Sequence, residues 1–298
     1  MGVRFLKSII ENHCKNAYAT LSMSSISNQT VIVDTNIFMY KFKASLSLET
    51  LFENMLKKFV FYNITPIFVF DGIPQYDKFD TIKQRKYNRD SSRLLVQSIK
   101  TKINNTTQKN KLNTLNKKLT YHQIQSTKLY ANDFIVIKNL IQKYGFDIIQ
   151  AKHEADEICA KHNINHKSFA VITEDTDLLI YGSKFVICNI DFNNDIFNII
   201  HTNTLLKTLH IRSLRDFQQI CILSGTDYNK AFTIHIALCL YYFYIQTEPK
   251  YIPFLRWCYN NKIISHKQHN GFNDILDKYT IFNTTQLPNS PQLEQLPL

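Results

Sequence analysis

The sequence predicts an α/β fold, a mostly parallel central sheet flanked by helices, on three observations. Short β-branched runs recur along the chain, most of them close on acidic residues, and helical patterns lie between them. TVIVDT (Thr30 to Thr35) reads as a buried strand finishing at Asp34, and TPIFVFDG (Thr65 to Gly72) as a second finishing at Asp71. GFDIIQA is a third, SFAVITEDTD a fourth with Asp175 and Asp177 just past its end, and KFVICNI a fifth. Helical patterns over Leu48 to Phe61, Asn132 to Lys143 and Glu154 to His162 supply the layers that cover both faces of such a sheet. Ligands of open α/β sheets sit beyond the carboxyl ends of the strands, and that is where these acids fall.

Charge is distributed unevenly. Of 298 residues, 35 are Lys or Arg and 24 are Asp or Glu, a formal charge of +11. Between Lys78 and Lys128 there are 13 basic residues and two acids, so this one segment carries the whole excess and the remainder is balanced at 22 to 22. Such localisation points to an element that binds a polyanion, with nucleic acid the leading candidate, over a solvated helical surface without a partner. The segment interrupts the alternation between the second and third strands, and leucines at 112, 115 and 119 could form a narrow stripe. We read it as one or two exposed helices projecting from the sheet.

After the strands, Thr202 to Asp277 has a helical pattern that includes the very apolar AFTIHIALCLYYFYIQ, read as core in preference to a partner-binding face. The last stretch, with three prolines and little hydrophobic pattern, reads as a disordered tail over 284–298. The longest apolar run, Ile236 to Ile245, falls far short of the ~20 residues of a membrane-spanning helix. No secretory signal is expected, and Leu6 stands where N-myristoylation of Gly2 would need Ser or Thr. The six cysteines lie apart with no CxxC and read as reduced, small core hydrophobes. Cys159, His162 and His166 form only a fragment of a zinc pattern, and His266 and His269 read as surface residues. Neither a P-loop nor a dinucleotide fingerprint occurs, so no ATP dependence is expected.

Acids at predicted strand and helix ends are Asp34, Asp71, Glu154, Asp156, Asp175, Asp177 and Asp227. Each taken alone has an ordinary reading as a turn residue or helix cap. Seven carboxylates gathered in one cleft would repel one another unless cations neutralised them. Hard oxygen donors select Mg²⁺ or Mn²⁺. Two such ions about 3.5 to 4 Å apart can clamp a phosphodiester for in-line attack by water.

The motifs resemble those of the flap endonuclease/XPG family of structure-specific 5′ nucleases. The matching pieces are MGVRFLKSI, VDTNIFMY (Val33 to Tyr40), VFDGIPQYDK (Val69 to Lys78), HEADEICA (His153 to Ala160), VITEDTDLLIYGS (Val171 to Ser183) and ILSGTDYN (Ile222 to Asn229), in family order across most of residues 1–230. The resemblance implies a PIN-like 5′ nuclease fold over 1–283, with a basic helical arch at 78–130 and a helical C-terminal region at 202–283. It implies two Mg²⁺ or Mn²⁺ ions held by the seven acids, with Asp156 where the family usually has Glu. Lys78 and Arg85 match the basic pair that neutralises the scissile phosphate. Tyr40 matches the aromatic on which a base near the cut stacks. Lys83, Lys86, Arg89, Arg93, Lys100, Lys102, Lys117 and Lys118 would contact DNA from the arch, through or under which a 5′ single strand passes.

The implied function is metal-dependent cleavage of DNA at 5′ flaps, nicks, gaps or free ends in replication, recombination or repair. A monomer acting at a nuclear or cytoplasmic site of DNA replication is expected. Two other readings stand beside it, a non-catalytic nucleic-acid-binding scaffold of the same fold and a PIN-like ribonuclease. The sequence departs from the family in three places. KAFTIHIALCLYY lacks the glycines of the duplex-gripping hairpin, the connection from Tyr40 to the helix near Leu48 is short, and the tail lacks an aromatic pair for a sliding clamp. Trimmed forms of this kind resemble the flap endonuclease homologues of large DNA viruses.

Overall fold

The computed structural model describes residues 2–3, 5–45, 47–73, 79–106, 108–226, 228–229, 232–247 and 252–280, the side chains of 79–86, 109 and 280 excepted. The chain begins with α1 (Leu6–His13), β1 (Tyr18–Ser22), a 3-10 turn (Met23–Ile26) and β2 (Thr30–Asp34). Next come α2 (Thr35–Ala44), α3 (Leu48–Phe61), β3 (Thr65–Phe70), α4 (Phe79–Asn104), α5 (Lys109–Ser126), α6 (Ala131–Lys143) and β4 (Asp147–Gln150). Then α7 (Ala155–Ile164), β5 (Ala170–Ile172), the short α8 (Asp177–Ile180), β6 (Phe185–Asp191) and β7 (Ile196–His201) follow. The C-terminal helices are α9 (Thr202–Thr208), α10 (Leu214–Ser224), α11 (Ile234–Thr247), α12 (Phe254–Asn260) and α13 (His266–Thr280).

Two compact units divide the chain, Met1–Ile32 with Asp156–Leu298, and Val33–Ala155. In the first unit the strands run in the order β1-β7-β6-β5-β2. β5 and β6 pair in parallel with Val171 opposite Val186. β1 and β7 were not identified from sequence, and they add antiparallel pairing, β7 to β6 and β1 to β7 with Tyr18 opposite Ile200. The miss has a physical cause: YATLS is a sheet edge with no fully buried residue, so it lacks the continuous apolar run of a strand covered on both faces. In the second unit β3 and β4 are neighbours and run parallel, with Ile67 opposite Asp147.

Apolar spacing explains the helices that cover these strands. α3 buries Phe52, Met55, Leu56 and Phe59, one face at helical spacing. Phe52 and Phe59 meet Phe68 of β3 at ring centroid distances of 5.6 and 6.4 Å. In the other unit α11 turns Ile234, Ala237, Leu238, Tyr241 and Tyr244 inward, which makes the apolar helix core. Its opposite face leaves Ile236, Phe243 and Cys239 exposed, so Cys239 departs from the expectation of a buried cysteine. The other five cysteines are buried. His269 is also corrected: it is buried, its ring 5.2 Å from Tyr259, while His266 is exposed as read. An imidazole has an apolar body as well as its polar nitrogens, and that body packs well on an aromatic face. The expected tail at 284–298 lies outside the described residues, among which no helix is long and apolar enough to cross a membrane.

A buried polar network fastens α10 to α11. Ser213 caps α10, its hydroxyl accepting from the Asp216 amide. The Tyr241 hydroxyl accepts from the Arg212 amide at 3.1 Å and donates to Asp216 Oδ2 at 2.7 Å. Arg212 completes the set, its Nε 3.2 Å from the same Asp216 oxygen and its guanidinium donating to the Tyr244 hydroxyl at 2.8 Å. Burial, first, pushes the Tyr241 phenol up to about 12, so it remains a donor at neutral pH. Tyr241→Phe is expected to destabilise the protein by about 1 to 3 kcal/mol, because Asp216 loses a buried donor. A urea midpoint equal to that of the wild type would show that the network contributes nothing.

Candidate active site

Within the first unit, the carboxyl end of β5 runs into a turn that carries two of the expected acids. The Asp175 amide donates to Thr173 Oγ1 at 3.1 Å, and Asp175 Oδ1 then accepts from the Asp177 amide at 3.0 Å. Asp175 is therefore a turn former as well, since that bond satisfies the first amide of α8. Both side chains are only 5% exposed. The N-terminal segment lies against them. Gly2 has φ +83°, and a Cβ built on it would fall 2.5 Å from Asp175 Oδ1, 2.7 Å from Asp177 Oδ1 and 2.3 Å from Thr176 Oγ1. One oxygen from each acid thus points at the same place, which only a glycine backbone can approach. The Val3 amide secures the segment by donating to Thr176 Oγ1 at 3.1 Å.

The charge of this turn reaches its neighbours. The Tyr279 phenol and the Cys221 thiol are both pushed well above their usual ranges, by burial first and then by the negative charge of Asp177. Tyr279 donates to Asp177 Oδ2 at 3.2 Å.

Within the second unit, Asp34 ends β2, is buried, and stands at the N-cap position of α2 without a side-chain capping bond. Asp71 follows β3 and is held at both oxygens. Oδ1 accepts from the Ala155 amide at 2.8 Å, and Oδ2 accepts from Asn36 Nδ2 at 2.7 Å. Asn36 Oδ1 is buried with no hydrogen-bond partner among the described residues, an acceptor beside Asp71 with nothing to accept from. Gly72 makes this approach possible: a Cβ there would lie 2.2 Å from the Ala151 carbonyl oxygen and 2.4 Å from that of Lys152. The Gly72 amide donates to His153 O and the Ile73 amide to Lys152 O, so the end of β3 is clamped to the turn that carries Glu154. Glu154, half-buried, directly precedes α7. Asp156, also half-buried and belonging to the first unit, lies in the first turn of α7.

The structure thus brings Asp175 and Asp177 together in one unit, and Asp71 to the turn of Glu154 in the other. Asp227 and Lys78 lie outside the described residues, as does the Arg85 side chain, although its backbone belongs to α4. Among the described residues no group of three or more His, Cys, Asp or Glu could hold a metal ion. What fits a hard divalent cation is the donor chemistry: all-oxygen side chains, two of them converging out of water, and a spare buried amide oxygen beside a third. Asn36, Thr176, Gln150 and Tyr279 are the supporting groups the sequence reading missed. Gln150 donates to the Asp71 carbonyl at 2.7 Å. Asn36 sits in the first turn of α2, just after Asp34, the one signal that could have found it.

The basic segment forms two helices packed against each other, α4 and α5, in the second unit. Ile99 and Ser92 are buried, Ser92 Oγ lies 3.2 Å from His122 Nδ1, and Leu112, Leu115 and Leu119 are half-buried. Arg93, Lys100, Lys102, Lys117 and Lys118 are exposed and Arg89 is half-buried. The side chains of Lys83 and Lys86 lie outside the description. Tyr40 is half-buried on α2. Exposed Tyr87, Leu94, Leu95 and Tyr121 interleave with the cations.

The chain is similar to several known proteins. The chain is 24% identical over 256 residues to flap endonuclease 1 of Cryptosporidium muris, covering 76% of this chain and 52% of that protein, so it spans about half the length of that relative. It is 26% identical over 284 residues to a probable RAD2-like endonuclease of invertebrate iridescent virus 6, covering 77% of this chain and 67% of that protein. In fold it resembles the catalytic core of Rad2 in complex with a DNA substrate, with a TM-score of 0.63, 20% identity, and 97% and 82% of the two chains covered. Flap endonuclease-1 from Methanococcus jannaschii superposes with a TM-score of 0.56, 19% identity, and 95% and 100% covered. The XPG N-terminal domain matches residues 1–92 and the XPG I-region residues 145–227. Those two matches hold every acid of the expected site together with the first part of α4, and the stretch between them, 93–144, carries the rest of α4 and all of α5: the chain belongs to the XPG family.

Proposed function

We propose that the protein is a divalent-metal-dependent nuclease that hydrolyses DNA phosphodiesters at 5′ flaps, nicks, gaps or free 5′ ends during replication, recombination or repair. The observation that carries this reading is the convergence of Asp175 and Asp177 oxygens, out of water, at the end of β5. A scaffold has no need of so unfavourable an arrangement. In this reading Asp34, Asp71, Glu154, Asp156, Asp175, Asp177 and Asp227 hold two Mg²⁺ or Mn²⁺ ions. When bound, the ions neutralise and polarise the scissile phosphodiester. The chain's own residues prepare that site. Asn36 and the Ala155 amide fix the rotamer of Asp71, and the Asp177 amide fixes that of Asp175.

Lys78 and Arg85 neutralise the phosphate, Tyr40 stacks a base near the cut, and the cations of α4 and α5 track the single strand. Loss of the glycine hairpin leaves α11 to pack as core, so duplex anchoring is weaker than in relatives that keep it.

The purified protein is expected to cut a 5′-flap DNA duplex with Mg²⁺ and to stop on chelation. Asp71→Ala and Asp175→Ala should each lower the single-turnover rate on the order of 100-fold or more, the several kcal/mol that metal assistance supplies. Undiminished cutting by both variants would refute the site. DNA binding without turnover under Mg²⁺ or Mn²⁺ would instead support the scaffold, and preference for an RNA flap the ribonuclease.

Asn36→Ala should lower the rate about 10-fold at limiting Mg²⁺, with recovery as Mg²⁺ is raised, because it frees Asp71 without removing it. A deficit independent of Mg²⁺ would assign Asn36 another role. Affinity for flap DNA should fall steeply with salt, and the paired change Arg93→Ala with Lys100→Ala should reduce the slope of log K against log salt by about 0.7 to 0.9 for each phosphate that is no longer neutralised. An unchanged slope would remove those two side chains from the interface.

A further inference from the structure

We propose that Tyr279, on the last turn of α13, is a positioning residue for Asp177, holding one carboxylate oxygen so that the other faces the metal site. This rests on the reading of Asp175 and Asp177 as metal ligands. Tyr279 lies outside the stretches matched by the two family domains, 1–92 and 145–227.

Three observations converge on it. First, the two Asp177 oxygens are differently employed. Oδ2 accepts from the Tyr279 hydroxyl at 3.2 Å, while Oδ1 is the oxygen that converges with Asp175 Oδ1 beside Gly2. A carboxylate restrained at one oxygen has lost the rotation that would carry the other away. Second, the phenol is held tightly enough to act as a restraint. Tyr279 is 1% exposed and packs on Tyr181, just past the end of α8, with ring centroids 4.8 Å apart. The fully buried Gln218 of α10 donates to Ile180 O at the end of α8 and, at 3.4 Å, to the carbonyl of Tyr279 itself. One amide thus ties the helix that begins with Asp177 to the turn that delivers the hydroxyl. Third, Tyr279 also touches the segment of another expected ligand. Its ring meets the edge of Tyr228, the residue after Asp227, at 6.2 Å, and Lys278 Nζ lies 4.5 Å from the centre of that Tyr228 ring.

These interactions are what a group supporting a metal ligand requires: a donor to the ligand, a rotamer locked by packing, and an anchor of its own. They also give the C-terminal helix a part in the chemistry, since α13 supplies the hydroxyl from a part of the chain far from the acids in sequence.

Tyr279→Phe keeps the ring and removes the hydroxyl. Mn²⁺ affinity of the DNA-free protein, read by electron paramagnetic resonance, is expected to fall about 10-fold in this variant with a cooperative thermal melt retained. In an Asp177→Asn background, the same change is expected to alter Mn²⁺ affinity less than about twofold, because the group it acts through is altered. Wild-type affinity in Tyr279→Phe overturns the proposal, as does an equal fall in both backgrounds. If Asp177→Asn itself binds Mn²⁺ like the wild type, the metal reading of the acidic turn falls and the role of Tyr279 with it. If instead Asp177→Asn loses binding while Tyr279→Phe keeps it, only the role of Tyr279 is lost.

A second measurement leaves the fold untouched. The ¹⁹F resonance of 3-fluorotyrosine placed at position 279 should shift on adding Mg²⁺ and stay still in the Asp177→Asn protein. A resonance indifferent to Mg²⁺ in the otherwise wild-type chain would overturn the proposal.

Discussion

Repulsion between Asp175 and Asp177 is the constraint around which the first unit is built. Two carboxylates at 5% exposure cannot be screened by water, and in a medium of low dielectric their mutual cost is large. The chain answers with donors placed close by: the Asp177 amide on one acid and the Tyr279 hydroxyl on the other. It answers also with a glycine at position 2, whose missing side chain leaves the converging oxygens room. None of these donors carries a full charge. Burial first and the charge of Asp177 second raise Tyr279 and Cys221, and a turn of two such acids suits a divalent cation.

Asp71 shows how one side chain can serve fold and site together. By accepting from the Ala155 amide it satisfies a donor at the start of α7, a role that accounts for an acid there without any chemistry. The same bond, with the Asn36 amide on its second oxygen, sets the orientation of the carboxylate. Gly72 is the enabling residue, because any larger one would drive its Cβ into the carbonyls of Ala151 and Lys152. Turn chemistry and metal chemistry are therefore not competing explanations for Asp71 or Asp175. A ligand used without reorganisation must already be held, and local backbone amides hold it without ordering any further side chain.

In the C-terminal helices, aromatic packing joins α11 to α12. Tyr241, Tyr244, Phe254 and Trp257 form one cluster, with Phe254 stacked on Trp257 at 16° and Tyr241 edge-on to Phe254 at 5.4 Å. Tyr244 lies 5.6 Å from Trp257, and the Arg212 guanidinium 4.9 Å from the Tyr244 ring. Bulky rings give this region stability through buried area.

The acidic strand ends, the basic segment and the helical C-terminal region were all legible in the sequence, for one reason: each is a local pattern. Apolar runs identified β2, β3, β4, β5 and β6, and the spacing of Phe52, Met55, Leu56 and Phe59 placed α3 over Leu48–Phe61. The edge strand β1 escaped because a half-exposed strand has no such signature, and β7, which pairs with it, was missed as well. His269 was misjudged because burial beside Tyr259 depends on a neighbour that only folding supplies. The sequence by itself determined which residues carry charge and in what order along the chain. Tertiary structure alone decided the distant hydrogen-bond partners: Asn36 reaching Asp71 from 35 positions away, and Tyr279 reaching Asp177 from 102. Pairings over such separations leave no periodicity to read, because their geometry is set by how helices and strands pack and not by the residues that lie between.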